Sequence, residues 1–238
     1  MERFVQMCVA AVAIVIALAS VSHAEIVYDN YPGDSFSSSD HYACGDIWFM
    51  DSTLYNAMRF DLAAGAYTDI SVTLPLAHKT LFPEQFWYQV KIYAADGVPT
   101  NPDDFPGEMV AGTCLATIDA LASDLGEFGE DEIVPTTFEF DSLVLTGDAQ
   151  YWLAVETDLD PLGGIAWLLN ENDICGWNAW KLWDQESGDP FPETWLLKDD
   201  SAYMGPNAAM RIEGTLVPEP SGLLLLLVAA GAVARRRS

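Results

Sequence analysis

Residues Thr68–Leu76 read TDISVTLPL and residues Phe86–Ala94 read FWYQVKIYA. In the first, Ile70, Val72, Leu74 and Leu76 alternate with polar partners; in the second, Phe86, Tyr88, Val90 and Ile92 alternate with Trp87, Gln89 and Lys91. A period of two belongs to a strand, whose successive side chains point to opposite faces. Both stretches therefore read as strands with one buried face. The pattern continues outward through Leu54–Leu62 (LYNAMRFDL), Thr136–Phe140, Tyr151–Thr157, Ile165–Leu169, Asn178–Trp183, Trp195–Lys198 and Ala208–Glu213. Turn signals such as Asp96-Gly97, Thr146-Gly147-Asp148, Gly163-Gly164 and Ser187-Gly188-Asp189-Pro190 separate them. Cys114–Leu125 alone reads as a short helix. Many short strands between such turns predict an all-β fold, an antiparallel β-sandwich, with the jelly roll as one arrangement.

The chain has 238 residues, 10 Lys and Arg against 36 Asp and Glu, and a formal net charge of −26. Binding to phosphate needs clustered Lys and Arg, so this charge excludes nucleic acid as a partner. With 8 Trp, 9 Tyr and 11 Phe the chain is not of disordered composition.

The two ends read as addresses. Arg3 precedes an apolar stretch from Met7 to Ala19, and Ser22-His23-Ala24 supplies small residues at a cleavage site. Residues 1–24 are thus expected to be a secretory signal peptide cut between Ala24 and Glu25. The other end reads VPEPSGLLLLLVAAGAVARRRS, residues 217–238. Its apolar run, Gly222–Ala234, has 13 residues. As a helix it would be about 20 Å long, short of a bilayer core of about 30 Å. Snorkelling by Arg235, Arg236 and Arg237, with local thinning, would hold such a helix in a membrane transiently. The arginines would remain cytoplasmic and leave the rest outside.

Motif, short apolar helix and arginine cluster in that order resemble the PEP-CTERM sorting signal of secreted bacterial proteins. The resemblance implies that Val217, Pro218, Glu219 and Pro220 are read by an exosortase, a membrane-embedded cysteine transpeptidase. The tail would be removed and the protein passed to the cell surface or extracellular polysaccharide matrix. Between the addresses, residues 25–216 form the expected acidic β-sandwich domain. Its cations are Arg59, Lys79, Lys91, Lys181, Lys198 and Arg211. Glu2 and Glu219 leave with the ends, so 6 cations face 34 acids, a net charge of −28. Met58-Arg59-Phe60, Ile70–Leu74, Val90-Lys91-Ile92-Tyr93 leading into Pro106-Gly107, and Tyr151-Trp152-Leu153 make this middle similar to the choice-of-anchor domains found upstream of such tails. That family implies no enzymatic activity.

Cys8 leaves with the signal, and export permits a disulfide among the remaining three cysteines. Cys44-Gly45 and Cys175-Gly176 read as turn segments, which favours the pair Cys44–Cys175; Cys114 shares a strand face with Ala116 and Ile118 and reads as a buried thiol.

Gly33-Asp34-Ser35-Phe36-Ser37 resembles the nucleophile block of GDSL-type esterases. That serine needs a histidine base toward the C-terminus, and no histidine follows His78. The fragment reads as a polar loop. His41 and His78 lack metal-ligand spacing. No carboxylate stands in a strongly apolar stretch that would tune it for glycoside hydrolysis. Enzymatic activity is therefore not expected.

Calcium is the cofactor the loops would suit, with Asp158, Asp160 and Asp173 as ligands, because hard cations gather carboxylate oxygens at turns. Trp177, Trp180 and Trp183 belong to a tryptophan-rich stretch that suits sugar stacking. Trp180 and Trp183 are three apart, so on a strand they face opposite sides. The sequence thus predicts a secreted structural or adhesive protein, with a carbohydrate-binding module as the alternative.

Overall fold

The structure, a computed structural model, describes residues 24–31, 36–47, 52–80, 82–94, 108–109, 113–129, 133–147, 149–157, 164–170, 178–184, 195–197 and 208–217. Its strands are, in chain order, β1 (Ala24–Asp29), β2 (Phe36–Ile47), β3 (Ser52–Asp61), β4 (Ala66–Leu74), β5 (Leu76–His78) and β6 (Trp87–Ala94). There follow β7 (Glu108–Met109), β8 (Cys114–Leu121), β9 (Gly126–Glu127), β10 (Thr136–Phe140), β11 (Leu145–Thr146) and β12 (Gln150–Thr157). The last are β13 (Gly164–Asn170), β14 (Asn178–Asp184), β15 (Trp195–Leu197) and β16 (Arg211–Leu216). The fold is all-β, a sandwich of antiparallel sheets.

The smaller sheet runs β1-β16-β4-β10, with β11 beside β4. In the larger sheet β8, β6, β12, β3, β14, β15 and β7 are successive neighbours. Its other arm, β2-β13-β5-β9, joins where β2 pairs with the first residues of β3. Every pair is antiparallel except β5–β9.

Alternation decides the core. From the small sheet come Tyr67, Ile70, Val72, Leu74, Phe138, Phe140, Leu145 and Ile212; from the large one come Met58, Phe60, Tyr88, Val90, Ile92, Tyr151, Leu153 and Val155. Each large side chain buried in this way contributes about 1.5–3 kcal/mol relative to exposure. The Phe60 and Tyr151 rings stack at 5.6 Å across the β3–β12 pair.

One alternation is interrupted and repaired. Asp69 has φ +51°, and the β4–β16 register shifts there. The extra residue forms a bulge that returns Tyr67 to the core face, where it sits opposite buried Leu145. Asp tolerates this left-handed conformation better than branched residues do.

The strand expected over Thr68–Leu76 is divided. β4 ends at Leu74 and Leu76 opens β5 in the other sheet. Pro75 lies between them, and a proline cannot donate to a ladder. Its carbonyl accepts from the Leu168 amide at 3.1 Å, which ties the crossing to β13.

The helix expected over Cys114–Leu125 is not formed. Residues Cys114–Leu121 are strand β8, paired along β6, and only Ala122–Asp124 make a turn of 3-10 helix. Pairing with an already amphipathic β6 outweighs the weak helical preference of a single turn. Cys44-Gly45, read as a turn, lies inside β2, opposite Ile165 and Gly164. Phe36 and Ser37, read as loop, open the same strand.

Tyr151 closes the β11–β12 turn. Its hydroxyl donates to the Thr146 carbonyl at 3.0 Å and accepts from the Thr146 amide at 2.9 Å. At the far end Asn30 is buried, donating to the Ala208 carbonyl at 3.0 Å and accepting from the Met210 amide at 2.6 Å.

Candidate functional site

The large sheet has a second face. Because Tyr88, Val90 and Ile92 point inward, Trp87, Gln89, Lys91 and Tyr93 point outward on β6. Antiparallel register aligns neighbours with them. Glu156 of β12 is opposite Gln89, Ala154 opposite Lys91, and Trp152 opposite Tyr93 on one side and Arg59 of β3 on the other. Strand β8 adds Asp119 beside Gln89 and Thr117 beside Lys91.

The centre of this face is a network on Glu156. Lys91 Nζ donates to Glu156 Oε2 at 2.7 Å, and the Tyr93 hydroxyl donates to Glu156 Oε1 at 2.5 Å. The Lys91 and Glu156 side chains are only 17% and 13% exposed, so solvent screens the pair weakly. Burial first, then the Glu156 charge and hydrogen bond, hold the Tyr93 hydroxyl far above its ordinary range. Tyr93 is therefore a hydrogen-bond donor at any physiological pH. Both Glu156 oxygens are engaged, which suits a structural acceptor and not a nucleophile. Arg59 Nε pairs with Asp61 at 3.3 Å on the same face. Trp152 is fully buried beside these groups, and its indole N–H has no hydrogen-bond partner among the described residues.

Toward β8 the face opens. Trp87 is 46% exposed, and the Gln89 amide donates to Asp119 at 2.7 Å on the surface. An exposed indole beside an amide and a carboxylate can stack an apolar sugar face and bond its hydroxyls.

Cys114 is exposed, contrary to the buried thiol read from its spacing. The β6–β8 register shifts between Ile92 and Tyr93, so Ala116 lies opposite Ile92 while Cys114 lies opposite Tyr93. This irregularity turns Cys114 to the face opposite Ala116 and Ile118. Its Sγ lies 3.4 Å from Thr117 Oγ1.

The other expected residues fall as follows. Ala24 and Glu25 open β1, opposite Thr215 and Gly214 of β16. Val217 is described, and its amide donates to the Ala66 carbonyl at 2.7 Å. Pro218, Glu219, Pro220, Arg235, Arg236 and Arg237 lie outside the described residues, as do Trp177, Cys175, Asp158, Asp160 and Asp173. Cys44 is in β2, while Trp180 and Trp183 are in β14, in register with Asn56 and Thr53. Among the described residues no three of His, Cys, Asp and Glu gather as a metal group. Trp167, from the same tryptophan-rich stretch, is a core residue whose Nε1 donates to the Ala209 carbonyl at 2.9 Å.

The Trp87–Tyr93 face was not singled out from the sequence. Its signal was present in FWYQVKIYA, where the residues opposite the core positions are Trp87, Gln89, Lys91 and Tyr93.

No family model matches the chain, and no curated protein does. Among solved structures, an aminopeptidase from a marine sediment Thaumarchaeota archaeon aligns with TM-score 0.35 and 11% identity over 82% of this chain and 37% of its own. The VP2 subviral particle of infectious bursal disease virus aligns with TM-score 0.26 and 10% identity over 87% of this chain and 44% of its own. The chain thus spans less than half the length of either.

Proposed function

We propose that residues 25–216 are an exported, non-enzymatic β-sandwich with a structural or adhesive role at the cell surface or in extracellular polysaccharide. Residues 217–238 direct it there. In this reading an exosortase-like transpeptidase recognises Val217-Pro218-Glu219-Pro220, the apolar run holds the chain transiently in the inner membrane, and Arg235–Arg237 stop export. The observation that carries the reading is at the last described residue, where the tail begins. The Val217 amide bonds to the Ala66 carbonyl, and the next residue in the sequence is Pro218, which has no amide with which to extend the pairing. A motif whose first proline cannot continue the ladder suits a removable tail. Mass spectrometry of the surface-localised protein tests this. The expected C-terminus lies within Val217–Ser221; intact Arg235–Arg237 on that protein overturns the reading.

A second reading, a carbohydrate-binding module, is favoured by the exposed Trp87 beside Gln89 and Asp119. It adds Trp87 on β6 to the sugar platform expected at Trp177, Trp180 and Trp183. Trp87→Ala is expected to abolish retention on the host's extracellular polysaccharide. Retention equal to the unaltered chain would remove this face from consideration.

A further inference from the structure

Strands β1 and β16 are antiparallel partners, with Ala24 opposite Thr215 and Glu25 opposite Gly214. The beginning of the domain and its end therefore emerge side by side. At this end of the small sheet the described residues include Ala63, Ala64, Ala66, Thr146, Leu216 and Val217, none of them charged. Ala63 and Ala64 are exposed, as are Leu216 at 42% and Val217 at 38%. Among the described residues this end is thus partly apolar. In the exported chain Glu25, opposite Gly214, is the first residue here and carries the α-ammonium beside its own carboxylate; Asp61 borders the end at the close of β3, and Asp148 borders it in the sequence. The far end differs, with Asp29 and Arg211 ion-paired at 3.2 Å.

The tether is short. Between Val217, the last described residue, and Gly222, where the apolar run begins, stand only Pro218, Glu219, Pro220 and Ser221. The five residue steps from Val217 to Gly222 span at most about 17–18 Å. A headgroup layer is roughly 5–7 Å thick on each side of the hydrocarbon core. With the run inserted, Val217 stands within about 12 Å of the headgroups.

We infer that this end of the sandwich is the face the domain turns to the bilayer while its tail is in place, seated on the lipid–water interface through Ala63, Ala64, Leu216 and Val217. The inference rests on the tail's being membrane-inserted, as proposed above. Electrostatics orients the domain in the same sense. Acidic flanks are repelled by anionic headgroups over a screening length of about 8 Å, so the flanks stand away and the end that carries Ala63, Ala64, Leu216 and Val217 approaches. The processing motif is thereby presented at the membrane surface, within reach of a membrane-embedded enzyme and without a long linker.

The test uses the exported chain with its C-terminal segment intact, on vesicles of phosphatidylcholine with a minority of phosphatidylglycerol. The substitutions Ala64→dansylalanine and Val134→dansylalanine are made one at a time. Val134 is 69% exposed and lies just before β10, whose first residue pairs with the last residue of β4 at the far end. Lipid brominated near the headgroup is expected to quench position 64 at least twofold more than position 134. If the chain floats with the vesicles but the two positions quench equally, the domain does not seat on this end and the inference falls alone. If the chain does not float at all, the membrane reading of the tail falls, and the inference with it. Hydrogen exchange on the unsubstituted, vesicle-bound chain gives a second readout. Protection of 63–66 and 215–217 relative to the tail-cleaved chain is expected, and its absence counts against the seat.

Discussion

Strand β4 of the small sheet and strand β12 of the large sheet both line the core, yet they treat their other faces differently. On β4 the residues behind Val72 and Leu74 are Ser71 and Thr73, half-buried and polar, beside Glu139, Thr137, Arg211 and Glu213. On β12 the residues behind Leu153 and Val155 are Trp152 and Ala154, both fully buried, and Glu156, held by Lys91 and Tyr93. The small sheet is the ordinary antiparallel case, one face dry and one wet. The large sheet is dry on one side and, on the other, carries buried polar groups and an exposed aromatic. Such groups are costly to hold in place, so this face depends on each of its hydrogen-bond partners in a way the small sheet's does not.

The comparison breaks most sharply at Ala154. An Ala154→Asp chain must bury a second carboxylate beside Lys91, whose single charge Glu156 already neutralises, and is expected to lose about 3–5 kcal/mol. The matched change Thr73→Asp, on the outer face of the small sheet opposite Arg211, is expected to stay within about 0.5 kcal/mol. Denaturant midpoints of the two variants measure the difference. Equal losses would mean that the outer face of β12 is not sealed.

A smaller effect tests the network. The folded pKa of Tyr93 is raised, by burial first and by Glu156 second. As pH rises, the unfolded chain therefore releases this proton before the folded one does. The stability from Tyr93 is whole below about pH 10 and declines above it, by at most about 1.4 kcal/mol per pH unit. Tyr88, raised by burial, and Tyr28, raised chiefly by burial, act in the same direction. Tyr93→Phe is expected to flatten the alkaline loss seen in denaturation midpoints, while Tyr88 and Tyr28 keep part of it. An unchanged pH profile would show that Tyr93 is not held as described.

Much of this architecture was legible in period-two stretches. Phe86–Ala94 placed Tyr88, Val90 and Ile92 inside, and Trp87 outside, as observed. What escaped was set by partners and not by local pattern. Strand β2 reads FSSSDHYACGDI, with no regular alternation, and is ordered along β13 and β3. The register shift near Tyr93 that exposes Cys114 appears only once β8 is laid against β6. The site was half legible. Gln89 and Lys91 stood opposite the core positions in sequence, but Glu156 is 65 residues beyond Lys91, and only the β6–β12 register brings them together. The calcium, disulfide and tail assignments rest on residues whose partners lie beyond any local window, so pattern alone could only name them.

The gentlest change sharpens the contrast from the wet side. Ser71 lies between Glu139 of β10 and Glu213 of β16, directly opposite each in register. Two like charges thus flank a neutral centre on the outer face of an acidic domain. A lysine there would meet a carboxylate on either hand, and cross-strand pairs of opposite charge contribute roughly 0.2–1 kcal/mol. Ser71→Lys is therefore expected to stabilise the chain by that amount at low salt. The gain should shrink as salt rises, because exposed pairs are screened. Denaturant midpoints at low and high ionic strength read both parts. A gain that persisted undiminished in high salt would mean that the outer face of the small sheet is drier than its alternation implies, and the contrast with β12 would narrow.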